Sequence, residues 1–225
     1  MGISYVISPP QMIHPLKISP YPLRVIRSVL MASAMLLCTV VLLRAQVNTE
    51  FAVTKIEPQI VTTPAISYSG ATQKSSRPKG WMEIEVVFAW LPRMATEKFS
   101  DDVTFNYYVL LSNKSVAFPQ GTLLTGQVTH TSLPAKQNDL KTVMYLSPRS
   151  MERLFDGKIP ASATSAIVDI GVTITRQGQV VAEKSLKGTG QWWPQYQQTA
   201  GYLLNKSETP FASLNSDYYE AVKKQ

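Results

Sequence analysis

Residues 81–90 read WMEIEVVFAW. Met82, Ile84, Val86, Phe88 and Trp90 recur at every second position with Glu83 and Glu85 between them, the period of a β-strand with one face toward a core and the other toward water. Residues 103–111 repeat it with Val103, Phe105, Tyr107, Val109 and Leu111, and residues 168–175 repeat it again with Val168, Ile170, Val172 and Ile174 against Asp169, Thr173 and Thr175. That third run meets Gln177-Gly178 and then a second extended run at 180–186, which predicts a β-hairpin with a tight Gly-containing turn. Less regular strands are expected at 51–56, 65–68, 123–131 and 141–146, giving about eight.

Short strands separated by turn signals, with few helical stretches between them, predict an all-β fold: an antiparallel, immunoglobulin-like β-sandwich of about seven or eight strands. A short helix is expected at 148–155, with Ser147 as N-cap, Pro148 at the first helical position and Gly157 beyond the end. After Leu186 the pattern changes. Residues 187–202 (KGTGQWWPQYQQTAGY) are rich in Gly, Gln and aromatics and lead to a C-terminal stretch at 215–223, where Ser216, Asp217 and the final lysines suit the ends of a short helix. The expected organisation is therefore a signal peptide or N-terminal anchor at 1–45, a sandwich at 46–187, and an extension at 188–225 packed on it and ending in a short helix.

The N-terminus predicts location. Residues 28–43 (SVLMASAMLLCTVVLL) are uncharged, follow Arg24 and Arg27, and stop at Arg44, and no acid precedes Glu50. A basic flank before a short apolar run is an export signal. At ~1.5 Å per residue the run spans roughly 24 Å, less than the ~30 Å hydrocarbon core, which favours cleavage, with the cut after Ala45. An uncleaved run would instead anchor the chain in the inner membrane. Either way the rest is expected in the periplasm or at the cell surface. Cys38 is preceded by Met35, Leu36 and Leu37 rather than by the small residues of a lipidation site.

Removing the signal takes four of the 22 Lys and Arg and none of the 15 acids, so the mature chain carries a net charge of +3. No basic stripe for nucleic acid remains; residues 74–79 (KSSRPK) read as a solvated loop. The mature chain has no cysteine and one histidine, His130, so it can build neither a His/Cys metal site nor a Ser-His-Asp triad, and no cofactor is expected. Glu83 and Glu85 sit about 7 Å apart on one strand face, the separation of paired catalytic carboxylates, but exposed polar alternation accounts for them more simply. Asp101-Asp102 reads as a turn, and Asn113 and Asn205 begin Asn-x-Ser acceptor sequences. No catalytic residue is assigned.

The constellation with binding potential is Trp192, Trp193 and Tyr196. Indole faces stack on sugar rings, and adjacent tryptophans in an extended segment point opposite ways, so one can also cover the sandwich while the other seals the extension.

Residues 203–212 (LLNKSETPFA), the Asp217-Tyr218-Tyr219 triplet and the strand at 81–90 resemble the small immunoglobulin-like envelope proteins encoded with type IV pilus-like assembly genes of Verrucomicrobia. The resemblance, from about Lys79 to the C-terminus, implies a noncatalytic envelope or pilus-assembly protein whose partners are envelope proteins. A prepilin keeps its apolar segment as an assembly helix with a glutamate near its start; here Glu50 follows the run, which implies an accessory protein rather than a major pilin. The alternative is a secreted carbohydrate-binding module using Trp192, Trp193 and Tyr196. Membrane contact is expected only through an uncleaved N-terminal segment.

Overall fold

The alternation in residues 81–90 becomes the spine of one sheet. A computed structural model describes residues 50–64, 77–114, 121–188 and 190–224, all within the unit Asn48–Gln225. The expected signal or anchor at 1–45 and the expected strand at 65–68 lie outside the described residues. Among the described residues nine strands form two sheets: β1 (Phe51–Thr62), β2 (Gly80–Trp90), β5 (Gln137–Leu146) and β9 (Leu203–Asn205) in the order β1-β2-β5-β9, and β3 (Val103–Leu111), β4 (Leu123–His130), β6 (Ile167–Arg176), β7 (Gln179–Ser185) and β8 (Gln198–Ala200) in the order β7-β6-β3-β4-β8. The all-β sandwich expected from the sequence is the fold of the protein.

The period-two residues meet between the sheets. Met82, Ile84, Val86, Phe88 and Trp90 from β2 face Phe105, Tyr107, Val109, Ile170, Val172 and Ile174, all fully buried, and Phe88 lies 4.6 Å from Phe105 between ring centroids. Val168 departs from the pattern. The register between β3 and β6 slips after Leu110, so Ile167 takes the core position and Val168 is left 40% exposed. β1 runs six residues beyond its expected end and contains Pro58, which costs no ladder bond because β1 is an edge strand paired only to β2.

Turn and cap chemistry falls where the residue types demand it. Gln177 (φ 51°) and Gly178 (φ 77°) make the two-residue β6–β7 turn in the left-handed region. Ser147 caps the helix Pro148–Leu154, its Oγ accepting from the Ser150 amide at 3.1 Å, with Pro148 in the first turn. A second short helix, Ala163–Ala166, capped by Ser162, leads into β6 and has no counterpart in the sequence reading.

Two corrections concern the C-terminal part. First, the ladders are not all antiparallel: β8 runs parallel to β4. β8 and β9, three residues each and too short to show a period, are joined across Gly201 (φ 85°) and extend one sheet and then the other. β9 seats closely because β4 has Gly126 there; a Cβ on it would lie 2.7 Å from the Leu203 Cβ. Second, residues 215–223 do not form the expected helix. They make turns, with Asn215 at φ 51°, and then bridge to β4 and β5: Val222 pairs with His130, the Lys223 amide donates to the Thr129 carbonyl at 2.8 Å, and the Glu220 amide to the Lys141 carbonyl at 3.1 Å. A helix of two turns is marginal alone, and these tertiary hydrogen bonds outweigh it.

Candidate functional site

Each sheet has an outer face, and the extension crosses both. It leaves β7 through a polar anchor: Asp169 accepts from the Ser185 hydroxyl (2.7 Å) and the Lys187 amide (2.9 Å), and the Trp192 Nε1–H donates to the Ser185 Oγ at 3.0 Å. A 3-10 turn at Trp193–Gln195 then lays Trp193 flat on the five-stranded sheet, stacked on Tyr108 with centroids 4.8 Å apart and planes within 10°. Gly171 permits this, since a Cβ there would meet the indole at 2.2 Å. Trp193 is 4% exposed and packs with Leu110 and Leu123.

Trp192 and Tyr196 are half-buried and meet edge to face at 5.8 Å, and Trp192 is also edge-on to Trp193 at 5.6 Å. The 3-10 turn, in place of an extended segment, brings the two tryptophans into ring contact instead of turning them to opposite sides. The three aromatics singled out from the sequence therefore form one cluster. One face of Trp193 is occupied by Tyr108 and its benzo edge by Gly171, so Trp192 and Tyr196 are the members with accessible surface.

The four-stranded sheet is covered differently. Glu83 and Glu85, expected to face water, are each only 7% exposed, because residues 206–224 fold over them. Phe211 stacks on Tyr145 at 5.0 Å and meets Trp81 edge-on at 5.8 Å. The carboxylates are held by neutral donors. Gln59 Nε2 (2.6 Å) and the Tyr145 hydroxyl (2.8 Å) donate to Glu83, and the Tyr219 (3.0 Å) and Tyr218 (3.4 Å) hydroxyls donate to Glu85. Lys141 lies over the Tyr218 ring at 4.5 Å and Lys206 over the Tyr219 ring at 5.7 Å, so the nearby cations stack on the phenols. Burial, and then the adjacent carboxylates, push the Tyr145 and Tyr219 phenols far above their usual range. Both stay protonated as donors, and the carboxylates are hydrogen-bonded acceptors within the fold.

His130 is a third buried polar centre. His130 is 1% exposed; its Nδ1 lies 3.1 Å from the Ala221 carbonyl and its Nε2 2.7 Å from the Thr142 hydroxyl. A carbonyl only accepts, so Nδ1 carries the proton, Nε2 accepts from Thr142, and Tyr107 donates in turn to Thr142 at 3.4 Å. Burial pulls the imidazole down to about 4, with the Ala221 carbonyl opposing. The ring is a neutral latch between the core and the C-terminal segment.

Other polar candidates are also engaged. Asp101 binds Arg176 (2.5 Å) and Gln177 (2.7 Å), Asp102 pairs with Lys223, and Arg176 reaches Glu50, which accepts from the Trp90 indole at 3.1 Å. The Asn113 amide nitrogen donates to Thr122 (3.0 Å) and to the Leu154 carbonyl (2.9 Å), bonds that a glycan on that nitrogen would break. Among the described residues no group of three or more His, Cys, Asp or Glu could hold a metal ion, and no helix is long and apolar enough to cross a membrane. The sequence reading missed the Glu83–Glu85–tyrosine cluster; its one signal was the pairing of Tyr218-Tyr219 with two acids on a strand otherwise made for a core.

No curated protein matches the sequence. Among solved structures, a crystal structure of a protein from Akkermansia muciniphila, a verrucomicrobial species, superposes with a TM-score of 0.65 at 22% identity, over 78% of this chain and 94% of that one. At that identity the likeness is one of fold. A family model matches residues 43–225, the whole sandwich with its extension, and the chain belongs to that family.

Proposed function

We propose that this chain is a noncatalytic, exported envelope or surface protein of immunoglobulin-like architecture, accessory to a type IV pilus-like assembly and acting through protein–protein contacts. The observation that carries the reading is where the reactive groups go: His130, Glu83 and Glu85 are buried and hydrogen-bonded to the sandwich's own residues. Each holds the fold together and none opens onto a cleft. The Arg-flanked apolar run supports export, and the verrucomicrobial structural relative agrees with the resemblance carried by residues 203–219. Cross-linking in intact cells, followed by identification of the captured proteins, tests it. Envelope and pilus-like assembly components are the expected partners. A purified protein that hydrolysed glycans or peptides, and lost that activity on a single Asp or Glu change, would overturn the noncatalytic reading.

The half-exposed Trp192–Tyr196 pair favours one second reading, a glycan contact. On a glycan array that reading requires binding that Trp192→Ala abolishes. No binding by the unaltered protein rejects it.

A further inference from the structure

The loops at the β2–β3 end of the sandwich are tied together and yet expose large apolar side chains. Residues 91–100 and 131–136 are joined by backbone hydrogen bonds: Ser100 N to Leu133 O (3.0 Å), Ala135 N to Lys98 O (2.9 Å) and Lys136 N to Trp90 O (3.0 Å). Phe99 bridges to Pro134, and the Leu133 amide donates to the Ser100 hydroxyl at 3.2 Å. This built tip holds Leu91, Met94 and Phe99 at 52%, 60% and 63% exposure. Scattered exposed hydrophobics need no explanation, but three within nine residues of one cross-tied loop form a surface that water disfavours. Exposed Lys98 and Lys136 lie on the same tip. Of the neighbouring acids, Glu50 and Asp101 are paired with Arg176 and Asp102 with Lys223, while Glu97 lies in the same loop with one carboxylate oxygen buried and its charge close enough to act on Arg176.

The chain reaches the sandwich at this same end. The Leu91 amide donates to the Glu50 carbonyl at 2.8 Å, and Phe51 begins β1. In the sequence, Glu50 stands six residues after Arg44, which closes the apolar run, a reach of about 20 Å when extended.

From the exposed Leu91–Met94–Phe99 set, its two lysines and its position where the chain enters the fold, we infer that this tip is a lipid-contacting surface. It rests shallowly on an anionic bilayer, with the three apolar side chains in the headgroup boundary and Lys98 and Lys136 on lipid phosphates. The contact is a second one, separate from the N-terminal segment: a retained segment would hold the tip near the bilayer, and without it the tip's own apolar and basic side chains make the contact. It rests on the exported-envelope reading only for which membrane is met. Apolar area plus attraction to anionic lipid is what drives such interfacial binding.

A loop-local probe tests it on the exported protein as cells make it. Met94→Cys, with Cys38→Ser where the N-terminal segment is retained, is labelled with an environment-sensitive dye and mixed with vesicles of phosphatidylcholine and phosphatidylglycerol. The label should shift to the blue with these vesicles, less with phosphatidylcholine alone, and less again in high salt. Leu91→Ser with Phe99→Ser should lower apparent vesicle affinity about tenfold, and Lys98→Glu with Lys136→Glu should remove the preference for anionic lipid. A label on Val168→Cys, at the opposite end, should not respond. No shift at position 94, an equal shift at 168, or a shift that grows with protein concentration without vesicles would overturn the inference; the last would make the tip a self-association surface. Because the assay contains no protein partner, its failure leaves the assembly reading standing, and the cross-linking result leaves this one standing.

Discussion

The extension covers the two outer sheet faces by opposite means. On the five-stranded sheet an indole lies flat on Tyr108 over a glycine, and the cover is apolar area. On the four-stranded sheet the cover is polar: two buried carboxylates are each satisfied by phenol hydroxyls, and Phe211 closes the apolar remainder. The first depends on shape, the second on hydrogen-bond completeness. An apolar cover loses stability in proportion to the surface re-exposed, whereas removing a single donor from the polar one leaves a carboxylate buried and under-satisfied.

Breaking the apolar cover should have the largest effect. Trp193→Ala removes a 4%-exposed indole and is expected to cost about 3–5 kcal/mol in denaturant unfolding. Gly171→Ala, which forces the indole up without touching it chemically, should cost about 1–3 kcal/mol. If Trp193→Ala were silent, the apolar half of the comparison would fail.

Acid tests the latch under the polar side. His130 titrates near 4 in the folded protein and near 6.5 when unfolded, so between those values the unfolded chain binds the extra proton. Stability is full above 6.5 and falls as pH drops toward 4, by about 3 kcal/mol from this residue. Asp101, whose pKa is lowered because its bonds to Arg176 and Gln177 outweigh the opposing desolvation, adds loss in the same direction at lower pH. Unfolding midpoints measured from pH 7 to 4 should show the slope, and His130→Gln should flatten its upper part.

The polar cover should yield smaller, coupled effects. Glu85→Gln and Tyr219→Phe are each expected to cost about 1–3 kcal/mol, and together less than their sum because they share one hydrogen bond. Glu57→Gln on the neighbouring strand, half-exposed and paired with the solvent-facing Lys55, should change stability by less than about 0.5 kcal/mol. Equal effects at 85 and 57 would return Glu85 to solvent. Among the substitutions in the covers themselves the smallest change is expected at Trp192→Phe, which keeps a ring but loses the bond to Ser185, about 1 kcal/mol.

The contrast also marks what could be read from residues alone. Alternation placed β2, β3 and β6 and named their core residues apart from Val168, because a strand buried on one face states that face in its own sequence. Gln177-Gly178 and Ser147-Pro148 announced the hairpin and the helix because turn and cap chemistry is local. What covers an outer face is not local. Glu83 and Glu85 look like any solvated pair until residues 211–219, more than a hundred positions later, supply an aromatic roof and its hydroxyls. The same distance explains the lost C-terminal helix: Tyr218, Tyr219 and Val222 share a helical face, but they are used singly, on Glu85 and on the β4 edge. The aromatic cluster was legible in composition, whereas the burial of Trp193 required Gly171 to be seen beneath it.

The central claim is that residues 190–224 belong to the sandwich and do not form an appendage. Amide hydrogen exchange tests it most directly. The account predicts that the amides of β9, Glu220 and Lys223, which lie in or bond to β5 and β4, exchange slowly and lose protection together with Tyr107 and Val172 as denaturant is raised. Fast exchange across 190–224, with β3 and β6 still protected, would contradict it and leave both outer faces open.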